Sequence, residues 1–210
     1  MNTGSGYNKN HGPNSASGGS NTTREGRSFE ALTDNEIKLM DNGYQKTVTK
    51  EGTKFGYFLF KKYPGEKKVL FTKQDGLNFL MRTRYNITGI FRKPDEAYIV
   101  EHTDGSKELI IIEKKSQKQP GSVDIKLLAG PILREEYQLV LGDAFQVKYI
   151  FSVSSFLKNK ILSEAFSSTI LRQLLKNHSI PTLYGDDPDY FERLNDLIKV
   201  IDKVKPKNSL

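Results

Sequence analysis

Four consecutive apolar residues, Leu109, Ile110, Ile111 and Ile112, followed at once by Glu113, Lys114 and Lys115, constrain this chain more than any other stretch. Strand side chains alternate between two faces, so an unbroken apolar run belongs to a strand covered on both sides. The run predicts an interior strand from Lys107 to Lys115. Just before it, Thr103, Asp104, Gly105 and Ser106 carry the Asp-Gly signal of a tight hairpin, and the residues from about Glu96 to His102 form its partner strand.

Alternation then sorts the charged residues at the end of this strand. Glu113 and Lys115 point to one face and Lys114 to the other. In an antiparallel hairpin the start of the first strand lies beside the end of the second, so Asp95, directly after Pro94, returns next to Glu113. Glu96 points to the opposite face, and Glu101 and Asp104 sit at the far, turn end.

Two carboxylates and an ammonium in one small space are costly, because like charges repel and burial penalises all three. A divalent cation resolves the conflict. Hard oxygen ligands in low number suit Mg²⁺, which keeps several waters and binds one or two carboxylates plus phosphate oxygens. Lys115 is then placed to orient an attacking water, and the chemistry to expect is phosphodiester hydrolysis. An E-x-K triplet alone carries little weight in a chain with 27% charged residues. Its position at the end of an apolar strand, one hairpin away from a Pro-Asp pair, gives it weight.

These features resemble the PD-(D/E)XK nuclease superfamily, and within it the small type II restriction endonucleases. After the lysine, Gln117 and the segment Gly121, Ser122, Val123, Asp124, x, Lys126 are similar to the family's pattern. Upstream, Gly26, Phe29 and Glu30 fit its first helix, which carries a glutamate toward the metal. A strand like that from Val147 to Phe156 follows a charged helix, as in the family. The resemblance spans about Arg24 to Ile201. It implies a restriction-endonuclease-like α/β core, with a central mixed β-sheet flanked by helices on both faces. It also implies Mg²⁺ held by Asp95 and Glu113, assistance from Lys115 and Glu30, double-stranded DNA as substrate and a homodimer reading a palindromic site. Other nucleases of this fold (resolvases, repair or mobile-element endonucleases) and a noncatalytic DNA-binding module are the alternative readings.

Composition narrows the rest. Met1 to Thr23 is rich in Gly, Ser and Asn and is expected to be a flexible tail before a single nuclease domain over residues 24–210. With no Cys, disulfides, thiol catalysis and cysteine-ligated zinc are excluded; only three His are present. There is no secretory h-region and no run long enough to span a membrane, so a soluble cytoplasmic protein is expected. The net charge of +7 suits a polyanionic partner. Lys61, Lys62, Lys67 and Lys68 form one basic cluster, and Lys114, Lys115, Lys118 and Lys126 another around the proposed site. The expected DNA contacts are Lys114, Gln117, Lys118, Ser122 and Lys126, with Arg82, Arg84, Asn86 and Arg92 as candidate base readers.

Periodicity predicts a helix over Ser28 to Asn42, strands at Tyr57–Phe60 and Val69–Phe71 joined at Pro64-Gly65, and a short helix over Gly76–Arg82. A helix from Ser122 (its N-cap) to Gln138, interrupted near Gly130-Pro131, precedes a strand over Gln146–Val153. Helical periodicity from Phe156 to Asn177, a short strand at Ile180–Leu183 and an amphipathic helix over Asp189–Val204 complete the expectation.

Overall fold

The computed structural model describes residues 27–118 and 123–200. The expected tail, Gly26, Gly121, Ser122 and the end of the last predicted helix lie outside the described residues, as do the side chains of Val123 and Asp124.

Seven strands form one open mixed sheet in sequential order: β1 (Gln45–Val48), β2 (Tyr57–Lys62), β3 (Lys68–Thr72), β4 (Glu96–Glu101), β5 (Lys107–Lys115), β6 (Gln146–Val153) and β7 (Thr182–Tyr184). The first five are antiparallel neighbours, whereas β6 runs parallel to β5 and β7 parallel to β6. Central β5 buries Leu109 and Ile111 on one face and Ile110 and Ile112 on the other.

Helices α3 (Asp75–Arg84), α4 (Val123–Leu128), α5 (Gly130–Leu141), α6 (Ser155–Leu162) and α7 (Phe166–Asn177) cover the Leu109 face. Helices α2 (Glu36–Asp41) and α8 (Tyr190–Ile198) cover the Ile110 face with Leu39, Tyr190, Leu194 and Ile198. The molecule is therefore an α/β fold with a central mixed sheet flanked by helices on both faces. Among the described residues no helix is long and apolar enough to cross a membrane.

Three departures from the periodicity have identifiable causes. The helix expected over Ser28–Asn42 is two helices, α1 (27–32) and α2, broken at Thr33 to Asn35. There Thr33 Oγ1 donates back to the Phe29 carbonyl, Asp34 Oδ1 accepts the Glu36 N–H, and the Asn35 N–H is drawn to the buried Glu96 carboxylate. These side-chain bonds compete with helix continuation. The stretch Phe156–Asn177 likewise divides into α6 and α7. Carbonyls at the end of α6 are satisfied from α7, Lys160 by Ser168 Oγ and Ile161 by the Arg172 guanidinium. Strand β1 was not expected: all four of its residues are exposed at the sheet edge, so no burial pattern marks it.

Candidate functional site

The β4–β5 ladder pairs Glu96 with Ile112, which places Asp95 opposite Glu113 one step further. Directly opposed residues have Cβ atoms about 5 Å apart. A hydrogen bond fixes the junction: the Lys114 N–H donates to Asp95 Oδ2 at 2.7 Å. The other oxygen, Oδ1, accepts from Gln74 Nε2 at 3.4 Å, and the Gln74 N–H donates to the Pro94 carbonyl at 2.9 Å. Gln74 holds a left-handed backbone with φ of 48°, a strained choice for a residue with a side chain, and such strain concentrates where a site dictates geometry.

Lys115 Nζ donates to Glu113 Oε1 at 2.5 Å, both side chains being 22% exposed. Burial raises the Glu113 pKa above the ordinary carboxylate value, the Asp95 charge raises it further, and Lys115 opposes both. Glu30 is raised for the same two reasons in the same order, burial and then Asp95, with Lys114, Lys54 and Lys115 pulling it down. Three acidic side chains thus share one electrostatic neighbourhood with only partial cationic compensation.

The carboxylates lie between two clefts. One, of about 420 Å³, is lined by Glu30, Asp95, Gln74, Lys54 and Arg27 among others. The second, of about 380 Å³, is lined by Glu113, Pro94, Arg92, Lys93, Tyr137 and Tyr149. Burial, then the Glu113 charge, pushes the phenols of Tyr137 and Tyr149 up, so both stay protonated beside it.

Among the described residues no three acidic or histidine side chains gather as a metal cage. The protein donors for a divalent cation would be the two carboxylates Asp95 and Glu113. Two hard oxygen ligands with room for water and phosphate are the coordination Mg²⁺ accepts, and a cation there would offset the repulsion between the Asp95 and Glu113 charges.

The expected DNA contacts divide. Lys114 is a correction: its side chain, 3% exposed, is paired at 2.8 Å with the fully buried Glu96 on the opposite face of the sheet, so it cannot reach DNA. Strand alternation implied this once Glu113 was placed on the open face. Arg84 forms a two-armed pair with Glu101 at the turn end of the hairpin, about 20 Å along the strand from Asp95 at 3.3–3.4 Å per residue. Arg92 is held in a similar pair by Glu136 on α5. Arg82, Asn86, Lys118 and Lys126 are exposed. The Gln117 main chain exchanges hydrogen bonds with Ser154 Oγ at the head of α6. Gln74, Lys54 and Arg27 were not anticipated. They come from the β3–α3 junction, the β1–β2 loop and α1, and only the fold brings them to Asp95.

No family model, curated protein or solved structure matches this chain.

Proposed function

We propose that the protein is a Mg²⁺-dependent endodeoxyribonuclease of the PD-(D/E)XK kind, acting as a homodimeric type II restriction enzyme on double-stranded DNA. The observation that carries this reading is the juxtaposition of Asp95 and Glu113 at paired strand ends with Lys115 bonded to Glu113. Mg²⁺ held by the two carboxylates would neutralise charge on the scissile phosphodiester and lower the pKa of a bound water.

The chain's own residues supply the rest. Asp95, held by the Lys114 N–H and Gln74, presents a fixed oxygen to the cation site. Lys115 orients the attacking water and stabilises negative charge developing on the phosphate oxygens. Glu30, across the cleft from Asp95, aligns a water or withdraws a proton from it. Lys54 and Arg27, on the same cleft, and Lys118, beyond the end of β5, serve the DNA backbone, whose contacts provide most of the sequence-independent affinity.

Digestion of unmethylated plasmid and phage DNA with Mg²⁺, followed by sequencing of the ends, tests the reading. Discrete fragments with a common end sequence are expected. Random fragments, or cutting confined to branched DNA, point to another nuclease of this kind. Binding without cutting by a properly folded protein leaves a DNA-binding module.

A further inference from the structure

Behind the open face of the site, the sheet buries an ion pair that the proposed chemistry does not use. Lys114 Nζ donates to Glu96 Oε1 at 2.8 Å, to the Thr33 carbonyl at 3.0 Å and to the Glu30 carbonyl at 3.4 Å, so its three protons have three acceptors. Glu96, fully buried, also accepts the Asn35 N–H at 3.1 Å and Asn35 Nδ2 at 3.0 Å. An apolar side chain at position 114 would continue the run Leu109–Ile112 without desolvating a charge. A buried pair is weak as a stabilising device, but it fixes geometry where several acceptors converge on one cation.

The geometry here is specific to the site. Lys114 sits between Glu113 and Lys115. Its main chain holds Asp95, while its ammonium holds the carbonyls at the end of α1. Helix α1 carries Glu30, which lines the same cleft as Asp95. Asn35, just past α1, bonds the same Glu96 carboxylate, and Phe29 and Thr33 pack over Gly185, so Lys114 and Glu96 together tie the hairpin to the end of α1.

We infer that Lys114, anchored by Glu96, is a positioning residue that locks the end of α1 onto β5 and so sets Glu30 against the Asp95–Glu113 pair. Its catalytic consequence rests on the nuclease reading above; the anchoring itself does not.

Lys114→Met alone strands the Glu96 charge in the interior and risks unfolding, so the variant to make is Glu96→Gln with Lys114→Met in the full chain. It removes both charges and keeps the side-chain volumes and an acceptor for Asn35. Amide exchange is read first. The Thr33 and Asp34 amides should exchange at least about tenfold faster than in the wild type while β4 and β5 amides keep their protection. Single-turnover cleavage is read next. The double variant and Glu30→Gln should each lose roughly 10²-fold in rate, and the triple variant should be no slower than Glu30→Gln. Unchanged exchange at Thr33 and Asp34 overturns the anchor. Losses that multiply in the triple variant overturn its action through Glu30. If the wild type does not cut, the nuclease reading falls, and the exchange result alone decides the anchor.

Discussion

The Lys114 N–H donates to Asp95 Oδ2 at 2.7 Å, so the register of one hairpin decides which acid joins Glu113. Glu96, one residue later, is turned through the sheet to the buried Lys114 ammonium. A slip of a single residue would exchange the two acids between faces. The open carboxylate pair and the buried ion pair are therefore two outcomes of the same alternation.

The raised pKa of Glu113 makes its charge a liability to the metal-free fold. With the folded pKa above the unfolded value, the folded state binds more protons across that interval, and stability falls as pH rises through it. Glu113→Gln should therefore raise the melting temperature in EDTA at pH 7 and lose that advantage near pH 4. Each kcal/mol moves the midpoint by roughly 2–4 °C in a domain of this size. Mg²⁺ should stabilise the wild type and not the variant. Thermal unfolding at the two pH values, with and without Mg²⁺, measures all of this.

Gln74 holds a left-handed backbone beside Asp95. Gly adopts that conformation without strain, and strain of this kind costs on the order of 1–3 kcal/mol. Gln74→Gly should therefore leave stability unchanged or higher while lowering the cleavage rate, because Asp95 loses a side-chain donor. Denaturant unfolding beside single-turnover kinetics separates the two effects; a variant that loses stability and keeps its rate contradicts the assignment.

Gly185 follows β7 beneath α1, where an added Cβ would lie 2.5 Å from Phe29 Cζ and 2.4 Å from Thr33 Cγ2. Gly185→Ala should cost about 1–3 kcal/mol by overpacking. It should also displace α1 and reduce cleavage beyond what the stability loss explains at a temperature where the variant is fully folded.

Lys54 lines the Asp95 cleft, whereas Arg84 is engaged with Glu101 at the opposite end of β4. Lys54→Ala should weaken DNA binding equally across sequences and reduce the slope of log affinity against log salt by about 1. Arg84→Ala should leave both unchanged and cost no more than about 1 kcal/mol of stability, as exposed pairs do. Fluorescence anisotropy across a salt series compares them.

What was legible in the sequence was what has a period or a turn signal. The strand Lys107–Lys115 and the strand Gln146–Val153 were readable to the residue, because their buried apolar runs give way to polar residues, Glu113 after Ile112 and Ser154 after Val153. The Asp-Gly turn located the hairpin and brought Asp95 opposite Glu113. The edge strand Gln45–Val48 was not readable, since it buries nothing. The break in the first helix was hidden too, because its cause, Glu96, lies 61 residues from Asn35. Lys114 illustrates the same limit. Its face was readable, but the acceptors that bury it come from α1 and β4, and charge composition alone counted it among the DNA contacts.

The proposed Mg²⁺-dependent hydrolytic site is Asp95, Glu113 and Lys115. Single-turnover cleavage of duplex DNA under saturating enzyme, comparing the wild type with Lys115→Met, tests it most directly. Lys115 donates to Glu113 yet remains partly exposed, so the substitution should leave the fold intact. The expected result is Mg²⁺-dependent cutting by the wild type, abolished by EDTA and slowed roughly 10²-fold or more in the variant, with DNA binding retained. Equal rates for the two proteins, or cutting that persists without divalent cation, would take Lys115 or the metal out of the chemistry.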